Sequence, residues 1–325
     1  MLYLILDPDN ELGYHATYNT ALRQYLHSHN IEFTEINIDK DYLSQNNFDR
    51  INSIQSRSDD LWLFSYAQNP LINYMFLKPG KKYAHIHGLE ASLYEPAVLH
   101  GYQLNESIVL YYYDGLFVNS NWAYSIMKKS YPVAAAKTVV TGFPFDIKFA
   151  ERFRNIEKDD KTIVFNQRFD MDKLHILEVY ISEKLIDLGY KVLHICSKNE
   201  YERIQWDRES KFLLKEAEKM GVQVLITNTK DDYFEKLARA KYTITTSIAD
   251  TLSICMLEAG ALGSILVAPN IGPFSEYINP KNLYMPYNED QLIDIVQNCS
   301  NTSVDLEKYA PERVFEIYMK SMGVI

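Results

Sequence analysis

The sequence predicts an α/β protein of two doubly wound domains, each a parallel sheet flanked by helices. Three observations carry this. The chain has 325 residues, more than one compact core holds and comfortable for two domains. Short apolar runs of strand type alternate with stretches of helical period along most of its length. Between Lys241 and Ile278 a complete strand, loop, helix and strand unit is legible, and the rest of the chain repeats its logic.

In chain order, Tyr3 to Leu6 reads as the first strand and about Thr17 to His29 as a helix, with Leu22, Tyr25 and Leu26 on one side. Strands are expected at Glu32–Ile36, Leu61–Ser65, Tyr83–His87 and Gly115–Asn119, where β-branched and aromatic residues cluster. Asn119-Ser120 then suits the cap of a following helix. The charged stretch from Glu151 to Lys161 reads as a linker. Beyond it come a strand at Thr162–Phe165, a helix at Leu174–Leu188, a strand at Lys191–Ile195, a helix near Arg208–Lys219 and a strand at Val222–Thr227. A short helix from Asp231 to Ala240 has an acidic start that suits the helix dipole. The end of the chain predicts helices at Asn288–Cys299 and Val304–Lys320. The expected domains are 1–150 and 151–305, with 306–325 packing back on the first.

Within the Lys241–Ile278 unit, Tyr242–Thr246 is the strand, Ser247 to Asp250 the turn and Leu252–Leu262 the helix. Gly263 stands where a left-handed helix stop is expected. Ile265–Ala268 is the second strand, leading into a Pro/Gly-punctuated loop that ends at Glu276. Asp250 precedes the helix and Glu258 lies inside it, eight residues on, a little over two turns. The two acids therefore face roughly one side without touching. They suit a ligand laid along a helix N-terminus, where free N–H groups and the dipole favour phosphate. The plain alternative is an Asp cap and a solvated Glu.

Composition excludes several classes. Apolar residues make up 47% and charged residues 23%, a globular balance. No apolar run approaches the roughly 18 residues of a membrane span, and the start, Met1 to Asp7, reads as a strand with no signal peptide. Three separated cysteines, Cys196, Cys255 and Cys299, suggest reduced core thiols in a cytoplasmic protein, with no metal site. A net charge of −10 argues against a broad grip on nucleic acid. The 25 tyrosines could supply stacking surfaces, although core and strand positions explain most of them.

Ligands of doubly wound sheets sit beyond the C-terminal strand ends, so residues there are the candidates. After the first strand comes Asp7 to His15, with Gly13 and His15 and no G-x-G-x-x-G fingerprint, so a tightly held dinucleotide is not expected. His85 and His87 alternate onto one side of their strand, and His87 falls at its end. Backbone partners could satisfy both. After the Thr162–Phe165 strand, Arg168 and Lys173 lie just before a helix. Two cations at a helix N-terminus oppose its dipole, which favours anion binding over a purely structural role.

These motifs resemble the retaining glycosyltransferases of family 4, which have the GT-B fold of two Rossmann-like domains facing across a cleft. Their acid, seven residues, acid region is matched by Asp250, Glu258-Ala259-Gly260, Gly263, Ile265-Leu266-Val267, Gly272 and Glu276. Asp250 stands where Glu is usual, Thr251-Leu252 where Gly-Phe is usual, and Pro273 in place of a second Gly. The Arg168, four residues, Lys173 spacing also matches. Within the family, the chain looks similar to the tRNA-queuosine mannosyltransferase type, through the His87 strand end, Asn166–Lys173, Lys230–Phe234 and Met256–Ala259. It is similar to phage DNA α-glucosyltransferases through Leu257–Ile265.

The resemblance implies transfer of a hexose, with retention, from a nucleotide-diphosphate sugar such as a UDP- or GDP-sugar to a hydroxyl acceptor. Both relatives act on nucleosides, so DNA or tRNA modification is the implied acceptor chemistry. Arg168 and Lys173 would hold the diphosphate without a metal or a tightly bound cofactor, with Gly13, Thr251 and Leu252 lining the donor. Glu258 would take the ribose hydroxyls, Asp250 or nearby amides the sugar, and His87 would contact that sugar from the other domain. The alternatives are a nucleotide-sugar-binding protein without catalysis, a transferase acting on a glycan or small molecule, and an epimerase or phosphorylase of the same fold. Oligomeric state is not legible.

Overall fold

The computed structural model of the chain describes residues 1–7, 14–39, 41–89, 106–169, 173–299 and 304–325. It divides into two compact units, Met1–Asp146 with Glu307–Ile325, and Ile147–Leu306. Gly13 lies outside the described residues. His15 is the second residue of the Tyr14–Ser28 helix.

The first unit holds one parallel sheet of six strands: β1 (Leu2–Leu6), β2 (Phe33–Asn37), β3 (Leu61–Phe64), β4 (Lys81–Ile86), β5 (Gly115–Val118) and β6 (Thr138–Val140), in the order β2-β1-β3-β4-β5-β6. Its central strands are near-continuous apolar runs because helices cover both faces of a parallel sheet. Leu4, Ile5, Trp62, Leu63, Phe64, Ala84, Leu116 and Val118 are all buried. The Pro311–Met322 helix belongs to this unit: the Tyr318 ring stacks on Phe117 of β5 at 3.9 Å and its hydroxyl bonds His85 of β4.

The second unit repeats the plan with β7 (Asp159–Phe165), β8 (Lys191–Ser197), β9 (Gln223–Thr227), β10 (Ala240–Ile244), β11 (Ile265–Pro269) and β12 (Leu283–Tyr284). The order is β12-β11-β10-β7-β8-β9, all parallel. This is the doubly wound order in which the chain reverses direction between β7 and β10, so a crevice opens at their C-terminal ends. Gly263 adopts φ +77°, and Gly263 N–H and Ser264 N–H bond the carbonyls of Gly260 and Ala259, closing the Ile254–Ala261 helix as expected. Gly260 is needed for closeness: a Cβ there would meet Val304 Cγ2 at 3.0 Å and Leu266 Cδ1 at 3.3 Å.

Several expectations are corrected. The 151–161 stretch lies wholly within the second unit, as a helix end (Ile147–Glu151), turns and coil over 152–158, and the start of β7, whose exposed first residues Asp159, Asp160 and Lys161 carry charge at no burial cost. The last helix starts at Pro311 and not at Val304, because proline has no N–H to give and fits only a first turn. β10 ends at Ile244: Thr245 N–H still bonds the Val267 carbonyl, but Thr246 N–H and both threonine hydroxyls pair with the Gln167 side chain. The helix after it begins at Ile254, so Asp250 is not its cap. Helices at Gln45–Ser53 and Lys198–Trp206 and the three-residue β6 were not expected from the sequence. Among the described residues, no helix is long and apolar enough to cross a membrane.

Candidate active site

The crevice of the second unit gathers most of the candidate residues. Two segments build it: the chain leaving β7 (Asn166, Gln167, Arg168) and the chain leaving β10 (Thr245, Thr246, Ser247). Gln167 is buried and ties them together. Its Oε1 accepts from Thr245 Oγ1 at 2.6 Å and its Nε2 donates to Thr246 Oγ1 at 2.9 Å and to the Lys173 carbonyl at 3.3 Å.

Lys173 turns inward from this scaffold. Its side chain is 9% exposed, and Nζ donates to Asp250 Oδ2 at 3.1 Å and to Ser247 Oγ at 3.2 Å. The Ala249 carbonyl lies 3.5 Å from the same nitrogen. Lys173 and Asp250, 77 residues apart in sequence, are therefore an ion pair. Thr251 and Leu252 follow, both buried, and then the Ile254–Ala261 helix, which has no side-chain cap on its N-terminus. Its first-turn amides keep their positive end of the dipole. The Lys173 charge also reaches Cys255 in that first turn, although burial dominates there and pushes the thiol up to about 12.

Arg168 is exposed on the loop that leads to Lys173. Its carbonyl accepts from His175 Nε2 at 2.7 Å, and the neighbouring Phe169 ring stacks on His175 at 3.7 Å. His175 and His194 in turn flank the buried Glu178, each Nδ1 at 2.7 Å from a different carboxylate oxygen. Burial alone would push the Glu178 carboxyl up, but the two histidines and their hydrogen bonds outweigh it and hold the group well below the usual carboxylate range. The loop carrying Arg168 and Lys173 thus rests on a buried charged base.

Glu258 does not join the Lys173–Asp250 pair. It is half-buried and accepts from Tyr233 OH at 2.7 Å; Tyr233 OH accepts from Asn166 Nδ2 at 3.1 Å, and that amide also donates to the Cys255 carbonyl at 2.9 Å. Burial pushes the Glu258 carboxyl up to about 7, with the Tyr233 hydrogen bond and the Lys230 charge pulling the other way. Burial also raises the Tyr233 phenol well above its ordinary value.

In the first unit, His87 lies just past β4. Its Nε2 is 2.5 Å from the Ser65 carbonyl, so that nitrogen carries a proton and donates. His85 is wholly buried and bonds Tyr318 OH, which makes it a core residue. Sequence reasoning missed Gln167, Glu178, His194 and the Asn166–Tyr233 link. Asn166 and Gln167 stand at a strand end, where ligands are expected. Tyr233 falls within the Lys230–Phe234 stretch that carries the resemblance, but nothing in the sequence links its hydroxyl to Glu258 or Asn166.

No protein-family model matches the chain, and no curated protein sequence matches it significantly. Solved structures do. Sucrose-phosphate synthase from Thermosynechococcus elongatus has a TM-score of 0.70 at 13% identity, over 99% of this chain and 94% of that one. Anabaena HepE, solved with UDP and glucose, has 0.65 at 14% identity, over 99% and 95%. A glycosyltransferase from Rickettsia africae has 0.62 at 17% identity, over 99% and 93%. These likenesses establish the architecture: the fold is that of the GT-B glycosyltransferases.

Proposed function

We propose that this chain is a glycosyltransferase that moves a hexose, with retention, from a nucleotide-diphosphate sugar to a hydroxyl acceptor. The observation that carries the reading is Lys173: a nearly buried ammonium beside an uncapped helix N-terminus, at the crevice between β7 and β10. In transfer, the bond from the anomeric carbon to the diphosphate oxygen breaks and one to the acceptor oxygen forms. The acceptor's proton leaves with the diphosphate or to solvent. Negative charge develops on the leaving group, and pre-placed cations and amides stabilise it there. Lys173, Arg168 and the helix amides supply that charge, so the reading expects activity without a divalent metal. Glu258 holds ribose hydroxyls, Thr251 and Leu252 line the donor, and Asp250 steers Lys173. UDP in a structural neighbour supports a uridine or related donor.

The acceptor reading is a nucleoside hydroxyl in DNA or tRNA, supported by the likeness of Leu257–Ile265 to phage DNA glucosyltransferases. Activity on a glycan instead would overturn that part alone. His87 is the first-unit residue whose loss should lower transfer while leaving donor binding intact. A second reading has one observation in its favour: Asp250 already neutralises Lys173, as in a chain that binds a nucleotide sugar without transferring it.

The test is a thermal-shift panel of UDP-, GDP-, ADP- and dTDP-sugars with Lys173→Ala and Glu258→Ala as controls. At a hundredfold excess over Kd, a ligand specific for the folded state should add about 2.7 kcal/mol. A shift with one base, lost in both variants, is expected. Silence from every nucleotide would end the reading, and binding without donor turnover would favour the second.

A further inference from the structure

We propose that Tyr233 is a positioning residue for Glu258, fixing one carboxylate oxygen through a hydrogen-bond relay whose direction Asn166 sets, and leaving the other oxygen to a ligand hydroxyl. The inference rests on the nucleotide-sugar reading above.

The direction of the relay follows from counting protons. The Cys255 carbonyl can only accept, so the group of Asn166 that faces it at 2.9 Å must be the amide nitrogen. The same nitrogen faces Tyr233 OH at 3.1 Å and presents its second proton there. The phenol then accepts from Asn166 and has a single proton left to give. It gives it to Glu258 Oε2 at 2.7 Å. Oε2 is an acceptor in either state of the acid, so a proton bound by Glu258 must sit on Oε1. Among the described residues the Glu258 carboxylate has no second hydrogen bond. Asn166 is 7% exposed, and its Oδ1 is buried without a partner, a further acceptor at the same strand end.

Oε1 therefore changes character with pH. Protonated, it donates; ionised, it accepts from a sugar or ribose hydroxyl. Burial places this change near neutrality, at about 7, and the Tyr233 hydrogen bond favours the ionised form. The charged and titratable groups around Glu258 are Tyr233 and Lys230 from the Lys230–Ala238 helix and Cys255 from its own helix. The Ile147–Glu151 helix, which packs against that helix, carries Lys148 and Glu151. Removing the Tyr233 hydroxyl withdraws a bond to the carboxylate and moves the Glu258 transition to higher pH.

The full-length protein is titrated with UDP by calorimetry from pH 5.5 to 9, as wild type, Tyr233→Phe, Asn166→Ala and Glu258→Gln. Wild-type affinity should rise through neutrality and level off, and Glu258→Gln should flatten that rise. Tyr233→Phe should move the midpoint up by at least half a pH unit, with at least a twofold loss at pH 7 that narrows by pH 9. Asn166→Ala, which leaves the phenol in place, should move it the same way by less, and it carries the test if Tyr233→Phe does not fold. In parallel, the ligand-free Glu258 carboxyl is followed by carbon-13 NMR, assigned by its absence in Glu258→Gln. An unchanged carboxyl titration in both variants sinks the relay whatever UDP does. A shifted titration with no UDP binding keeps the relay and sinks the donor reading.

Discussion

Replacing Glu178 with glutamine keeps the shape of the side chain and removes its charge. The structure gives the size of the effect. Glu178 is 1% exposed, faces His175 and His194 at 2.7 Å each, and accepts from Gln167 Nε2 at 3.3 Å. Hydrogen bonds to a charged acceptor contribute about 1.5–3 kcal/mol each, and deleting one partner of a buried ionic cluster costs about 3–5 kcal/mol. Relief of the carboxylate's own desolvation offsets part of that, so the expected loss is about 3 kcal/mol at pH 7. The pH dependence has a definite sign. The folded carboxyl lies below its unfolded value of roughly 4.3, so its contribution is complete above that value and is lost as pH falls through the folded one. The gap between wild type and variant should therefore narrow on acidification below about pH 4. Because two units need not unfold together, the assay must report on the second one. Cys196 on β8 is buried, and its exposure in urea can be read by pulsed labelling with a dithiodipyridine, which reacts at both pH 7 and pH 4. Equal urea midpoints at pH 7, or a gap that stays constant down to pH 3.5, would refute the argument that Glu178 is held as an ionised, histidine-compensated group.

Two further outcomes are expected. Gly260→Ala should destabilise the second unit by about 1 kcal/mol, because its Cβ would press on Val304 and Leu266; the same Cys196 labelling reads it, and a neutral result would mean Val304 yields freely. Lys173→Met should weaken UDP binding at least tenfold, about 1.4 kcal/mol, and leave the Asp250 carboxylate without its cation. Retained affinity would move the diphosphate contact away from this residue.

Part of the candidate site was legible because it is local. Asp250, Glu258 and Gly263 lie on one short segment, and Arg168 and Lys173 on one loop, so spacing alone singles them out. What the spacing could not show is how they are used. Asp250 reads equally well as a helix cap, and only the fold turns it to Lys173. Glu258 was recognisable as an acid within a helix, but its partner Tyr233 sits on another helix and Asn166 just past the end of β7.

The same division runs through the fold. Strands such as β7 and β11 are marked by short continuous apolar runs and the helix at Arg208–Lys219 by a 3.6 period, both of which a local window of the sequence contains. The Gln45–Ser53 and Lys198–Trp206 helices escape that reading because they are mostly polar and hold their few buried residues only by docking. The sequence by itself determined an α/β chain with two cations on one loop and an acid-bearing helix, since propensity and periodicity are local properties. Only the tertiary structure decided that β7 lies beside β10, so that Gln167 meets Thr245 and Asn166 reaches Tyr233. Strand order is fixed by the joint burial of both sheet faces under their crossover helices, and no single segment carries that information.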